Sequence, residues 1–240
     1  MAEAGAPQPI LHRDFVVVLD PGHGGTNDGC RSGAGGVHEK ELTLDLARAL
    51  QTRLRELLPH SEVILTRDRD ITMTLADRVA FANEAGADLF LSIHANASAD
   101  GRQLGFETYL LDTEASNLES ARTAQRENDE GFAVPHSAST VDMMVRQLGL
   151  VHNRNRAAVY ARAIQDEQAS RFPARFDRGI RQAPFDVLMG ARMPAVLHEV
   201  GFLDHEAEGQ MLRSRSGQRQ LVESMARATV TYYRDVQRRQ

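Results

Sequence analysis

Apolar residues in this chain follow two patterns, and each pattern predicts a different kind of element. Short apolar runs at 15–19, 63–66, 88–94, 105–111, 185–189 and 195–200 predict strands. Leucines at every fourth position from Leu42 to Leu58 predict an amphipathic helix over 39–58. Two further helices are predicted over 74–84 and about 218–236. Strands that alternate with helices are typical of an α/β domain with a mostly parallel sheet flanked by helices.

The alternation of strands and helices stops between about 112 and 178. Two polar, helix-like segments at 114–130 and 141–172 enclose a loop-like stretch, and no strand is evident there. We therefore expect one domain over 14–240 with a helical insertion between two strands, packed as a lid over the carboxyl end of the sheet. Residues 1–13 are rich in Ala and Pro, and we expect them to form a linker or flexible N-terminus.

Composition and charge exclude several classes of protein. Hydrophobic residues make up 42% of the chain and charged residues 25%, which is typical of a globular protein. The 28 Lys and Arg residues against 33 Asp and Glu give a net charge of −5. This balance argues against a nucleic-acid partner or an anionic membrane surface, since both require a basic face. The single cysteine, Cys30, excludes an internal disulfide and a cysteine-rich zinc cluster.

The N-terminus leaves two interpretations of localisation open. No apolar window approaches the roughly 18–20 residues of a membrane span, and no signal peptide is visible at residues 1–15. The protein is either cytoplasmic, or it is written here without a leader that has been removed. The linker-like composition of the first residues favours the second interpretation.

Three side chains with metal-binding chemistry lie near the carboxyl ends of predicted strands. His23 follows the first strand, His94 ends another, and Glu39 opens the helix that follows the first strand. Sites in open α/β sheets form at the carboxyl ends of strands, so these side chains can converge. Two imidazoles and one carboxylate around an open position form a ligand set of catalytic zinc. The ordinary alternatives are loop histidines and a Glu39 that complements the helix dipole.

Glu199 lies in the apolar run 194–203. Burying a carboxylate costs free energy unless the group is paired or functional. Beside a metal, Glu199 can take a proton from water and return it to a leaving amine; the alternative is an ion pair with an arginine. The adjacent His198 points to the opposite face of the sheet and is interpreted as structural. The glycines at 22–25 suggest a phosphate-binding loop as another alternative, although no complete phosphate-binding motif follows.

Four ordered motifs resemble one known family. Residues 20–25 are Asp-Pro-Gly-His-Gly-Gly, 39–41 are Glu-Lys-Glu, 92–96 are Ser-Ile-His-Ala-Asn, and 193–203 are Met-Pro-Ala-Val-Leu-His-Glu-Val-Gly-Phe-Leu. Together they resemble the zinc-dependent N-acetylmuramoyl-L-alanine amidases, and residues 178–185 resemble the approach to the last strands of that family. The resemblance covers about 14–111 and 178–236. It implies one Zn²⁺ per chain on His23, Glu39 and His94, with Glu199 as the catalytic acid and base.

The insertion also has a counterpart in this family. Members that separate daughter cells in Gram-negative bacteria carry a helical insertion that covers the zinc until an activator protein displaces it. Residues 124–129, Ala-Gln-Arg-Glu-Asn-Asp, are similar to part of that helix. Glu127 is the first candidate for a carboxylate that blocks the open zinc position, followed by Glu119 and Glu130. The alternative is that these are ordinary solvated charges on a helix.

The resemblance implies a function outside the cytoplasmic membrane. It implies zinc-dependent hydrolysis of the amide bond between N-acetylmuramic acid and L-alanine in peptidoglycan, autoinhibited by the insertion and used in wall remodelling or cell separation. The expected partners are peptidoglycan and an activator protein, and the expected location is periplasmic or extracellular. One alternative is a catalytically silent peptidoglycan-binding module with the same fold; another is a cytoplasmic phosphate-binding enzyme.

Overall fold

A six-stranded sheet forms the centre of the computed structural model, which describes residues 14–32, 36–129 and 140–238. Its strands are β1 (Phe15–Pro21), β2 (Ser61–Leu65), β3 (Leu89–Asn96), β4 (Phe106–Leu111), β5 (Asp177–Ala183) and β6 (Ala195–Phe202). Their spatial order is β2-β1-β3-β6-β4-β5, and every neighbouring pair is parallel except β4 with β6. The predicted α/β fold with a mostly parallel sheet is confirmed.

Helices cover both faces of this sheet. In the described ranges they are α1 (Glu39–Leu57), α2 (Leu75–Glu84), α3 (Leu118–Asn128), α4 (Thr140–Arg171), α5 (Glu206–Arg213) and α6 (Arg215–Arg238). The apolar residues of α1, α4 and α6 form one core cluster with Val17 and Leu19 of β1. Val16 and Val18 face the other cluster, which includes residues of α2 and α3. Alternate residues of β1 are therefore buried on opposite faces, as expected for a parallel strand covered on both sides.

The edge of the sheet differs from the prediction. The apolar run 185–189 is not a strand: it contains a 3₁₀ turn, Asp186–Leu188, in which Leu188 N–H donates to Phe185 C=O. The edge strand is β5 instead, whose polar sequence is half-buried and lacks an apolar run. A short apolar run does not distinguish a strand from a buried turn by periodicity alone, which is the reason for the error.

The predicted insertion contains two helices that pack in different places. α3 lies at the carboxyl ends of β1 and β3, where Glu127 contacts His23 and His94. α4 packs in the core instead, with Tyr160 and Ile164 fully buried. The expectation that the whole insertion forms a lid is therefore wrong for α4, because its apolar face covers the sheet.

Two of the predicted segments fall outside the described residues. These are residues 1–13 and residues 130–139, which include Glu130 and most of the predicted loop. Among the helices that are described, none combines the length and hydropathy needed to cross a lipid bilayer.

Candidate metal centre and active site

The turn that follows β1 places His23 inside the molecule. His23 has a φ of 60°, in the left-handed region that non-glycine residues seldom adopt. Strained backbone of this kind is found mostly at functional sites. A Cβ atom on Gly22 would lie 2.4 Å from the ring of His94, so the glycine allows the two histidines to approach. Their ring centroids are 4.8 Å apart.

Two buried arginines donate hydrogen bonds to the backbone of this turn. Arg67 donates through Nη2 to the carbonyl of Gly22 at 2.8 Å, and Arg78 donates through Nη2 to that of His23 at 2.6 Å. Arg78 also pairs with the buried carboxylate of Asp20 at 2.8 Å. The backbone carbonyls of the turn are thus held by fixed cations. The sequence offers no signal for these arginines, because nothing in their local pattern distinguishes a buried arginine from an exposed one.

Glu39 is fixed by hydrogen bonds to two neighbouring segments. It lies in the first turn of α1 and is 1% exposed. Its Oε1 accepts from Ala95 N–H and its Oε2 from Cys30 N–H, both at 2.9 Å. Both oxygens therefore face the carboxyl end of β3 and the loop before α1. The position of Glu39 at a helix N-terminus favours its ionised form as well.

Four buried side chains meet at this end of the sheet. His23 Nε2 lies 3.0 Å from Glu39 Oε2 and 3.2 Å from Glu127 Oε2. His94 Nδ1 lies 3.1 Å from Glu39 Oε1 and 3.0 Å from Glu127 Oε2. One ligand atom from each residue can be chosen so that all four lie within 4.8 Å of one another. The structure thus brings the three predicted ligands together, with Glu127 of α3 as a fourth.

This cluster has the donors and the spacing to bind one metal ion. Its four histidine–glutamate contacts of 3.0–3.2 Å are close to the roughly 3.3–3.4 Å that separates two ligand atoms on a zinc ion, and one donor atom from each residue can be chosen within 4.8 Å of the others. Imidazole and carboxylate groups are also the donors that zinc accepts. His23 Nδ1 lies 3.1 Å from Asn27 Oδ1, and a hydrogen bond donated by this nitrogen would make Nε2 the ligating atom.

The charges in the cluster favour a bound cation. Burial lowers the pKa of His23, but the carboxylates of Glu39 and Glu127 outweigh it and raise that pKa to about 10. The same two carboxylates raise the pKa of His94 well above its ordinary value, against the effect of burial. Burial raises the pKa values of Glu39 and Glu127, but the charges of the histidines outweigh this effect and hold both pKa values below their ordinary range. A divalent cation would take the place of the protons that the carboxylates hold on the imidazoles.

Glu199 lies beside this cluster, and no ion pair involves its carboxyl group within the ranges that the structure describes. In the sheet, Glu199 of β6 is paired with His94 of β3, so both side chains leave the same face. It is 1% exposed, and neither carboxyl oxygen has a hydrogen-bond partner among the described residues. Burial and the negative charge of Glu127 raise the pKa of Glu199 well above its ordinary value. A buried carboxyl group with a raised pKa is suited to take up a proton and to release it again.

His198 points to the opposite face, as predicted. Its Nδ1 lies 3.0 Å from Thr108 Oγ1 and its Nε2 lies 2.9 Å from Gln168 Oε1 of α4. Burial lowers the pKa of His198 to about 3. The residue is therefore a neutral member of a buried hydrogen-bond network between the sheet and α4.

The glycine loop does not have the form of a phosphate cradle. Gly24 N–H donates to Asn27 C=O, and Gly25 N–H donates to the carboxylate of Asp70 at 2.6 Å. These amides are already occupied, one of them by an anion. The arrangement argues against the phosphate-binding alternative.

The predicted candidates on α3 separate into two places. Glu127 joins the cluster of histidines, whereas Glu119 binds Arg178 and Arg181 of β5. The neighbours of Glu127 also anchor α3: Arg126 Nη2 donates to Asn96 Oδ1 at 2.7 Å. Asn128 Nδ2 donates to Pro184 C=O at 2.7 Å. The segment that resembles the family helix is thus the part of α3 that covers the cluster.

Comparison with known sequences identifies relatives of the whole domain. A family model described as N-acetylmuramoyl-L-alanine amidase matches residues 17–230. The amidase AmiC of Neisseria meningitidis serogroup B is 30% identical over 239 residues, covering 97% of this chain and 56% of that protein. The amidase CwlM of Bacillus licheniformis is 32% identical over 211 residues, covering 88% of this chain and 64% of that protein. The chain spans less than two thirds of the length of either relative.

Solved structures of similar proteins share the architecture. An N-acetylmuramoyl-L-alanine amidase from Clostridium difficile 630 superposes with a TM-score of 0.69 at 28% identity, covering 92% of this chain and 97% of the other. The amidase AmiC2 of Nostoc punctiforme gives a TM-score of 0.68 at 27% identity, with the same coverage of both chains.

Proposed function

The chain belongs to the N-acetylmuramoyl-L-alanine amidase family, and from this premise we propose that it hydrolyses peptidoglycan. The bond it cleaves is the amide between the lactyl group of N-acetylmuramic acid and the L-alanine of the stem peptide. The observation that carries this proposal is the buried carboxyl group of Glu199, which has no hydrogen-bond partner in the described part of the chain and lies beside a cluster of two histidines and a glutamate. A metal-dependent amide hydrolase needs both a cation site and a group that transfers protons.

His23, Glu39 and His94 would hold one Zn²⁺ per chain. When bound, zinc lowers the pKa of its water toward about 7 and polarises the scissile carbonyl. The residues of the chain supply fixed positions for this ion: hydrogen bonds to Ala95 and Cys30 orient Glu39, and the turn after β1 orients His23. The ligands therefore need little rearrangement to bind the ion.

Glu199 would move the proton. It takes the proton of the attacking water, whose oxygen forms the new bond to the carbonyl carbon. As the carbon–nitrogen bond breaks, Glu199 delivers the proton to the L-alanine nitrogen, which leaves as an amine. A silent wall-binding module of the same fold is the alternative, but such a module has no use for a buried carboxyl group of raised pKa.

The metal and the base are tested with two variants and one control. We expect His94→Ala to lose zinc, measured by elemental analysis of the purified protein, whereas His198→Ala keeps it because His198 faces the other side of the sheet. We expect Glu199→Gln to keep zinc and to lose hydrolysis of purified peptidoglycan by roughly 10²–10⁴-fold. Undiminished zinc in His94→Ala, or near-normal turnover by Glu199→Gln, would refute the assignment concerned.

We further propose that α3 inhibits the enzyme. Glu127 lies where a fourth ligand of zinc would lie, and it would exclude the water and the substrate carbonyl from the ion. Its neighbours Arg126 and Asn128 anchor this part of α3 through hydrogen bonds to Asn96 and Pro184. The isolated protein would then hydrolyse peptidoglycan slowly until α3 moves away.

An activator protein would shift this equilibrium. It needs only to bind the open state more tightly than the closed state, by as much as α3 stabilises closure. Activation of this kind suits an enzyme that acts on the wall in cell separation, in the periplasm or outside the cell. The identity of α3 as the inhibitor is tested by Glu127→Ala.

We expect Glu127→Ala to raise the basal rate of hydrolysis about tenfold or more, because each 1.4 kcal/mol of lost closure shifts the equilibrium tenfold. Gln125→Ala is the matched control, since Gln125 is exposed on the same helix. A wild-type protein that is already as fast as Glu127→Ala would refute autoinhibition and leave the amidase activity itself intact.

A further inference from the structure

α3 makes a second charged contact at a distance from the histidine cluster. Arg178 Nη2 donates to one oxygen of Glu119, and Arg181 Nη1 donates to the other at 3.1 Å. Both arginines belong to β5, in the segment 178–185 that resembles the amidase family. Each carboxylate oxygen is thus held by a different guanidinium group, through charge-assisted hydrogen bonds that are stronger than neutral ones.

A buried carboxylate under the two arginines fixes their orientation. Glu107 of β4 is fully buried, and its Oε2 accepts from Arg178 Nε at 3.0 Å and pairs with Arg181 Nε at 2.9 Å. Tyr109 O–H also donates to Glu107, at 2.8 Å. The Nε atoms of both arginines thus contact Glu107 of the sheet, Arg178 Nη1 donates to Leu104 C=O, and Arg178 Nη2 and Arg181 Nη1 reach Glu119 of α3.

The departure of α3 would change the charge balance around Arg178 and Arg181. Two guanidinium groups face the permanent Glu107 and the removable Glu119, so the loss of Glu119 leaves one positive charge in excess. Arg178 and Arg181 are only 9% and 14% exposed in the closed state. When α3 opens, the structure therefore presents a preformed carboxylate site at β5.

α3 thus carries two carboxylates that occupy two sites at once. Glu119 and Glu127 are eight residues apart, which is roughly 12 Å along a helix. One lies on the candidate metal centre and the other on the arginine pair. An extended peptide covers a similar distance with three to four residues.

We propose that Arg178 and Arg181 bind a carboxylate of the stem peptide, in the place that Glu119 occupies when α3 is closed. This inference rests on the proposed amidase activity. The lactyl carboxylate of the glycan is consumed in the scissile amide, so a second carboxylate must come from the peptide side. The distance between Glu119 and Glu127 on α3 indicates that this carboxylate belongs to a residue three or four positions beyond the scissile bond. It is either a side-chain carboxylate or the C-terminal carboxylate of the peptide.

The test compares substrates in a chain whose inhibition has been relieved. The parent is Glu127→Ala, and the substrates are muramyl tetrapeptides with free carboxylates, with an amidated C-terminus, or with amidated side chains. We expect adding Arg181→Gln to raise KM for the free-carboxylate substrate roughly tenfold to a hundredfold, with kcat little changed. The amidated form that lacks the recognised carboxylate should already have the higher KM and should not respond further.

The controls separate binding from a structural role. Arg181→Gln leaves Arg178 and Tyr109 on Glu107, so the buried carboxylate keeps partners, and Arg181→Lys should restore part of the affinity. An equal rise of KM with all three substrates would overturn the proposal and assign the arginines a structural role.

Binding of the free tetrapeptide, measured by titration calorimetry, gives a readout that does not depend on hydrolysis. Arg181→Gln should weaken it by the same factor, and an unchanged affinity would overturn the proposal. A parent that binds the peptide in this way without hydrolysing any substrate would refute the amidase activity instead.

Discussion

α3 and α4 lie in one insertion, but they are attached to the domain by different forces. In the described part of α4, the fully buried side chains include Tyr160 and Ile164, which belong to the main core cluster. The buried residues of α3 are small or charged: Ser120, Thr123, Ala124 and Glu127. The polar insertion seen in the sequence thus consists of two different parts in the structure. α4 completes the hydrophobic core, and α3 covers the candidate metal centre.

The difference in contacts implies a difference in reversibility. Burying a large apolar side chain stabilises the fold by about 1.5–3 kcal/mol, and no solute replaces that contact. Partly exposed ion pairs such as those of Glu119 contribute only about 0–1 kcal/mol, and another carboxylate can form the same contacts. Detaching α4 therefore amounts to unfolding, whereas detaching α3 breaks mainly polar contacts and exposes the small apolar side chain of Ala124.

The largest expected effect concerns the stability that α4 supplies. Tyr160 packs against Tyr232 with ring centroids 5.3 Å apart, and its hydroxyl lies 2.8 Å from Thr229 Oγ1 of α6. We expect Tyr160→Ala to lower the free energy of unfolding by about 3–5 kcal/mol, measured by urea denaturation. The matched control is Leu118→Ala on α3, where the leucine is 67% exposed and the cost should stay below about 0.5 kcal/mol. Similar losses in both variants would contradict the division of the insertion.

A smaller effect is expected from pH, again on the α4 side. His198 bonds to Gln168 of α4, and burial holds its pKa at about 3, against about 6.5 in the unfolded chain. Above pH 6.5 the residue is neutral in both states. As the pH falls from 6.5 to 3, only the unfolded chain binds the proton, so the free energy of unfolding decreases.

The size of this effect follows from the two pKa values. Between pH 6.5 and pH 5 the loss attributable to His198 should be about 1.6 kcal/mol. The His198→Gln variant should not show this loss. The free energy of unfolding of the wild type and of the variant is therefore measured by urea denaturation at both pH values, in the presence of a chelator. The difference between the two proteins gives the contribution of His198, because all other groups titrate alike in both. Parallel pH profiles for the two chains would show that His198 is not held neutral.

The elements that were predicted correctly are those whose local pattern of apolar residues is enough to identify them as a strand or a helix. β1, β3 and α1 have apolar runs or a leucine repeat strong enough to identify the element, and their ends carry His23, His94 and Glu39. The position of these three residues at one sheet edge follows from the parallel topology. Glu127 was predicted only through the resemblance to a family, because nothing in the charges of α3 alone distinguishes it from its neighbours.

The features that were missed depend on contacts distant in sequence. β5 is polar because it is an edge strand, and its arginines pair with Glu107, about seventy residues away. Arg67 and Arg78 are buried only because the turn after β1 offers them carbonyl groups. The division between α3 and α4 likewise depends on which surface each helix meets. A local pattern of apolar and polar residues does not predict any of these long-range contacts.

The smallest expected effect tests the polar attachment of α3 directly. Glu119 is 32% exposed, so salt should weaken its pairs with Arg178 and Arg181 while leaving the contacts of Tyr160 intact. Raising the salt concentration from about 0.05 M to 0.5 M should increase the basal hydrolysis rate roughly two- to threefold, since exposed pairs contribute less than about 1 kcal/mol. The substrate should be a fully amidated muramyl peptide, so that its own binding to the arginines does not depend on salt. Glu119→Gln should start from the higher rate and lose the response, because it has no charge left to screen. If the variant responds to salt as the wild type does, α3 is held closed by contacts other than these ion pairs, and the contrast with α4 would have to rest on Glu127 alone.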